Sequence, residues 1–162
     1  MIQYRLTEIE IHRKIAYEIY ENMLVPLQSV MNDISTLGDS LFDNGKQKKD
    51  DNGKIVIPEK LPPQLAEHQN IFKAKTNMLV LYAHKEVYNE LFNTANNLSK
   101  EIDVIITHYY DRIWSKNASE SLVKSKKLAS KLYADILDLY ESDSQINLMP
   151  YKKAQANASE KA

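Results

Sequence analysis

The chain has 162 residues, enough for one domain with a hydrophobic core, and 43% hydrophobic with 27% charged residues is typical of a globular protein. The formal net charge is −1, which argues against a general attraction to nucleic acid or to anionic membranes. There is no cysteine, so disulfides, thiolate metal sites and cysteine nucleophiles are excluded, and the absence fits a reducing compartment.

No segment of the sequence has the pattern of a membrane-spanning helix. The amino terminus is charged within its first turns and lacks the apolar core of a signal peptide. The longest apolar run is MLVLYA, residues 78–83, whereas a span needs about 20 apolar residues. We therefore expect a cytoplasmic protein with no membrane span in this chain.

The first 41 residues have the pattern of one long amphipathic helix. Apolar side chains recur in alternating steps of three and four residues, which is the seam of a helix in a bundle or coiled coil. Pro26 interrupts this helix, but the seam continues in phase on both sides, so a kink is predicted. The predicted seam consists of Ile2, Leu6, Ile9, Arg13, Ala16, Tyr20, Met23, Leu27, Val30, Ile34, Leu37 and Leu41, and Ile15, Ile19 and Met31 widen this stripe, which suits a bundle with more than one neighbour.

Residues 42–63 are predicted to form a long, exposed, charged connection, because they contain two Asn-Gly pairs and three prolines. Part of this loop matches a calcium-binding EF-hand loop at Asp50, Asn52, Gly53 and Glu59. The first ligand position is Lys48, however, whose charge opposes a cation. We therefore favour a simple Asn-Gly turn and predict no metal site.

Three further helices are predicted. The second helix runs from about Gln64 to Ala83, the third begins at about Tyr88, and the fourth ends at about Tyr140. The predicted fold class is all-α: an antiparallel four-helix bundle with a long, Pro26-kinked first helix and a long charged loop at 42–63. Residues 1–143 form a single domain in this prediction, and residues 144–162 form a poorly ordered tail. The later seams are Tyr88, Leu91, Ala95, Leu98, Ile102, Ile105, Tyr109 and Arg112, then Leu122, Ser125, Ala129, Leu132, Ile136 and Leu139.

The segment His84-Lys85-Glu86 is predicted to be a junction between two helices. The apolar run ends immediately before it, and a fresh helical phase starts at Tyr88. Glu86 would then lie in a first turn, where its charge complements the helix dipole. His84 is predicted to serve as a cap or connector rather than as a ligand.

Two arginines, Arg13 and Arg112, fall on seams that are otherwise apolar. A buried guanidinium must be paired or reach solvent, because unpaired burial of a charge is unfavourable. We hypothesise that at least one of them forms an inter-helix ion pair that fixes the register of the bundle. The acidic candidates for this pairing are Glu18, Glu86, Asp103 and Asp111.

The stretch HYYDRIW contains the densest group of aromatic residues. Tyrosine at helical spacing usually belongs to a core, with its hydroxyl at the rim. If Tyr110 and Trp114 lie together and exposed, they form a candidate surface for a protein partner.

No motif identifies an enzyme, a cofactor site or a metal centre. A di-iron bundle needs Glu three residues before His, and none of the four histidines has Glu or Asp at that position. The Glu8–His12 pair is typical of a surface contact. Phosphate-binding glycine loops and nucleophile elbows are absent. Lysines cluster at 46–49 and 124–131, and proteins that contact phosphates need such clusters. Because the overall charge is close to neutral, we favour a solvated helix face and expect no nucleic-acid partner.

Two stretches, HRKIAYEIYENML and FKAKTNMLVLYAHKEVYNELF, together resemble a loose group of uncharacterised bacterial and prophage helical proteins. The resemblance covers about a third of the chain and implies a helical fold without an established activity. Where that group carries Ser or Asp as a helix cap before Glu-Val, this chain has His84-Lys85.

The function predicted from these patterns is non-enzymatic. The long seams favour a helical-bundle protein that acts through protein contacts, including self-association. One alternative is a cytoplasmic regulatory domain of a membrane-linked protein. Another is a small-molecule binder or enzyme with a pocket between helices.

Overall fold

The structure is a computed structural model that describes residues 2–44, 46–56, 60–111, 116–142, 146 and 148. It is all-α apart from one small hairpin. The elements are α1 (Ile2–Ile19), a π-helical turn (Tyr20–Leu24), α2 (Val25–Leu41), β1 (Phe42–Asp43), β2 (Lys46–Gln47), α3 (Leu61–Thr76), α4 (Leu79–Tyr82), α5 (Lys85–Tyr110) and α6 (Lys116–Glu141).

Four helices, α2, α3, α5 and α6, pack into a ring in which each contacts two others. Neighbours run antiparallel. On α2 and α3, Asp33 contacts His68, whereas the earlier residue Asn22 in the π turn contacts the later residue Lys75. The predicted antiparallel four-helix bundle is therefore confirmed.

The core of the bundle is made by the predicted seams of α2, α5 and α6. Burying each leucine, isoleucine or valine side chain of these seams contributes about 1.5 to 3 kcal/mol. The apolar side of each helix therefore turns toward the core. Their buried members are Leu27, Val30, Ile34, Leu37, Leu41, Leu91, Ala95, Leu98, Ile102, Ile105, Leu122, Ser125, Ala129, Leu132, Ile136 and Leu139.

The first helix passes Pro26 by way of the π turn. Proline has no backbone N–H, so a regular α-turn here would lose one hydrogen bond and crowd the preceding turn, at a cost of about 3 kcal/mol. In the wider turn, the N–H of Val25 donates to the carbonyl of Tyr20, five residues earlier. Backbone angles stay helical at Ile19 and at Val25, so the helix continues from α1 into α2.

The seam predicted for the first helix is wrong at Ile9 and Tyr20, whereas burial of Ile15 and Ile19, predicted to widen the stripe, is confirmed. Ile9 and Tyr20 are 47% and 48% exposed, whereas Ile11, Ile15 and Ile19 are buried. A π turn holds about one residue more than an α turn, so it shifts the helical phase upstream by about one position. The stripe that continued the seam of α2 is thereby rotated away from the bundle.

The connection at 42–63 is more structured than predicted. β1 pairs with β2 in an antiparallel hairpin, and Lys49 forms a second bridge with Ile55. Asn44 and Gly53 adopt the positive φ angles that these turns require, 48° and 76°. Helix α3 begins at Leu61, because proline is well tolerated in the first turn of a helix.

The second predicted helix is interrupted. α3 ends at Thr76, a turn follows at Asn77 and Met78, and the short α4 carries the apolar run onward. Within the predicted tail the structure describes Ile146 and Leu148; Ile146 is buried and bridges to Ala83. The rest of residues 144–162 lies outside the described residues.

Candidate functional site

Three residues of α1 and the first residue of the π turn form an exposed stripe, which we call the α1 face: Ile9, Arg13, Tyr17 and Tyr20. At 3.6 residues per turn, their side chains project within about 80° of one another. All four are exposed, Tyr17 by 63%. The opposite side of the same helix carries the buried residues Ile11, Ile15 and Ile19, so α1 is apolar on two faces.

Two tyrosines on this face have defined neighbours. Tyr17 hydrogen-bonds Glu21, and the bond together with the charge of that carboxylate raises the pKa of Tyr17. The ring of Tyr20 lies 6.3 Å from that of Tyr140 on α6, at an angle of 46°. The α1 face is therefore anchored to the bundle at Tyr20 and open at Ile9.

A chain of hydrogen bonds links α1, the π turn, α3 and α4. Lys75 donates to the Asn22 side-chain oxygen at 3.0 Å. Asn22 in turn donates to the buried Tyr82 hydroxyl, which donates to Glu18. Burial, followed by the charge of Glu18, raises the pKa of Tyr82 to about 12. The network ties the π turn to α3 and α4.

Asp33 and His68 form a second polar cluster, between α2 and α3. The buried Asp33 carboxylate accepts hydrogen bonds from His68 Nδ1 and, at 3.2 Å, from Gln64 Nε2. The sequence signal for this pair was a histidine on the apolar stripe of α3, since such a histidine needs a polar partner. Asp33 itself gave no signal, because it lies beside the seam of α2.

The calcium-loop residues serve the turn itself. Asp50 Oδ1 accepts the backbone N–H groups of Asn52 at 2.9 Å and Lys54 at 2.8 Å. Glu59 lies outside the described residues. Across the described part of the chain, His, Asp and Glu side chains form no group of three that would hold a metal ion.

The residues predicted as ion-pair candidates lie apart. Arg13, Glu86 and Asp111 are exposed, and Arg13 makes no ion pair with any described residue. Arg13 leaves the predicted seam because the π turn rotates it outward. Arg112 falls outside the described residues, so its pairing stays a prediction.

The other predicted positions are the aromatic surface and the helix junction. Tyr110 is 64% exposed, with its ring edge-on to Tyr109 at 5.2 Å, and Trp114 is not among the described residues. α4 ends at Tyr82 and α5 begins at Lys85, with Glu86 in its first turn. His84 is the N-cap residue with extended backbone, but its side chain makes no capping hydrogen bond.

The lysines of α6 face solvent, and two of them pair with acidic neighbours: Lys116 lies 3.9 Å from Glu120, and Lys131 has two partners. Lys131 lies 3.5 Å from Glu90 of α5 and 3.4 Å from Asp135, and the charge of Asp135 first, then that of Glu90, raises its pKa. No helix in the described ranges combines the length and the apolar character needed to cross a bilayer.

No protein-family model, curated protein or solved structure matches this chain.

Proposed function

We propose that the protein is a non-enzymatic helical-bundle module of the cytoplasm that self-associates through the α1 face. The observation that carries the proposal is the exposure of Ile9, Tyr17 and Tyr20 on one side of a helix whose other side is already buried. Single exposed apolar residues are common on protein surfaces, but a stripe with helical spacing is typical of a helix that packs on another helix.

The spacing of the α1 face supports a second copy as the partner. Steps of four, four and three residues average about 3.67 residues, close to the helical period, so the four side chains stay on one side of the helix where a second helix can pack. A two-fold axis places the same stripe on both copies, so one surface supplies both halves of the contact. Arg13 is compatible with this role, because its aliphatic stem packs on apolar neighbours while its charge stays in solvent.

The test is the molar mass in solution of an Ile9→Glu variant, measured by light scattering over a range of concentrations. A buried, unpaired carboxylate in the contact is unfavourable by several kcal/mol. We therefore expect the unchanged chain to gain mass with concentration and the Ile9→Glu variant to stay a monomer.

Val123→Glu is the matched control. Val123 is 56% exposed on α6, so the substitution has a similar local effect. Its neighbour Leu122 lies beside Gly38, about 40 Å along the first helix from Ile9. This variant is expected to associate normally. An unchanged chain that stays monomeric at high concentration refutes the proposal, as does equal loss of association in both variants.

A further inference from the structure

A cleft opens between α3 and α5, with Val30 of α2 at its floor, and encloses about 120 Å³. It is on elements other than α1 and is independent of the α1 face. Two phenylalanine rings, Phe72 from α3 and Phe92 from α5, flank it. The remaining apolar lining consists of Ala95, Leu98 and Ile102.

The polar groups deep in the cleft are already engaged. The buried Gln69 donates its amide to the Ser99 hydroxyl at 2.9 Å and to the Ser99 carbonyl at 3.3 Å. The Thr76 hydroxyl donates to the Phe72 carbonyl at 2.8 Å. These bonds fix the walls, so the interior favours an apolar group over a polar one.

The groups at the mouth have the opposite character. Lys73, Asn77 and Asn96 line the cleft and are exposed, and Lys73 makes no ion pair with any described residue. The lining includes no acidic side chain within the described residues; Asp103 approaches Gln69 Nε2 at 3.5 Å but is not part of the lining. The mouth therefore presents one uncompensated positive charge and two amides.

We infer that this cleft binds small carboxylic acids with an apolar body of about one six-membered ring. An apolar cavity of about 150 Å³ is known to hold benzene, and this cleft of about 120 Å³, which also opens to solvent at its mouth, is of the size of one ring beside Phe72 and Phe92. The carboxylate then lies at the mouth, where the Lys73 ammonium and the amides of Asn77 and Asn96 are its hydrogen-bond donors.

Benzoate and benzyl alcohol are the probes, because they share a ring and differ in charge. Each is titrated into the 15N-labelled full chain while backbone amide shifts are followed by NMR. We expect benzoate to shift the amides of residues lining the cleft and to bind about tenfold more tightly than benzyl alcohol. Absence of any shift at the cleft with millimolar benzoate overturns the inference.

Two variants separate the charge from the cavity. Lys73→Gln is expected to remove the preference for benzoate and leave the affinity for benzyl alcohol unchanged, whereas Lys14→Gln, at an exposed lysine on α1, changes neither. Ala95→Leu fills the cleft and is expected to abolish both. If Ala95→Leu does not fold, Lys73→Gln still decides, because an unchanged preference for benzoate in that variant refutes the inference.

Discussion

The Tyr82 hydroxyl ties the end of α4 to the first helix. The hydroxyl is buried, and its hydrogen bonds with Glu18 and Asn22 satisfy it next to the π turn. Because Asn22 also accepts from Lys75, one residue in the π turn is held from two sides. Such a network stabilises one arrangement of a backbone that has an alternative, regular turn available.

The raised pKa of Tyr82 predicts a specific dependence of stability on pH. The folded-state pKa of about 12 exceeds the ordinary value of 10.0, so both states hold the proton below pH 10 and the unfolded state loses it first as pH rises. The stability contributed by this proton is therefore complete below pH 10 and is lost between pH 10 and 12.

The Tyr82→Phe variant tests this dependence through urea unfolding at pH values from about 8 to 12. At about pH 8 the variant is expected to be less stable by about 1 to 3 kcal/mol, because Glu18 loses a hydrogen-bond donor. The difference should shrink as pH rises, since only the unchanged chain has the Tyr82 proton to lose. Tyr110→Phe, at an exposed tyrosine, is the control; a constant difference across this range would contradict the prediction.

At the scale of the element, α1 offers two apolar stripes and the bundle uses one of them. Ile11, Ile15 and Ile19 are buried, and α1 packs against α6. The π turn rotates α1 relative to α2 about the helix axis. The isoleucine stripe of α1 and the seam of α2 can therefore both face the core. Pro26 favours the turn at this position, since it removes a bond that a regular helix needs.

Two isoleucines on α1 test which stripe is buried. Ile15→Ala is expected to lower the free energy of unfolding by about 2 to 5 kcal/mol, because Ile15 is fully buried. Ile9→Ala makes the same chemical change on the exposed side and is expected to alter it by less than about 0.5 kcal/mol. Chemical denaturation measures both. The reverse order would mean that the helix runs without a phase shift.

At the scale of the whole molecule, the end of the described chain returns to the helix junction. Ile146 is buried and forms a β-bridge with Ala83, which directly precedes His84, the N-cap residue of α5. This contact covers the site where the apolar run leaves α4. Ile146, which is distant in sequence, thus contacts the helix junction at Ala83.

Ile146→Ala is therefore expected to destabilise the whole fold by about 2 kcal/mol or more, because it removes a buried side chain from the core. The exposed Ile71 on α3 provides the same substitution without burial, and Ile71→Ala should leave the melting temperature nearly unchanged. Thermal unfolding followed by circular dichroism compares the two. Equal melting temperatures would show that burial of the Ile146 side chain contributes no stability.

The sequence alone determined the all-α class and the inward faces of α2, α5 and α6. In those helices only one apolar stripe exists, so the 3.6-residue period leaves a single way to bury it. The junction before Lys85 is of the same kind, since the apolar pattern stops there and a new phase begins. The tight turns at Asn44 and Gly53 likewise follow from local backbone preference.

Only the tertiary structure decided which stripe of α1 is buried, which polar pairs form and where the cleft opens. The sequence of α1 holds two stripes that contain apolar residues, and Pro26 favours a departure from the regular helix without specifying by how much the phase shifts. Packing against α6 and the bonds to Asn22 make that choice. Asp33–His68 and the cleft between Phe72 and Phe92 join residues from different helices, so their spacing depends on how those helices pack and no local pattern encodes it.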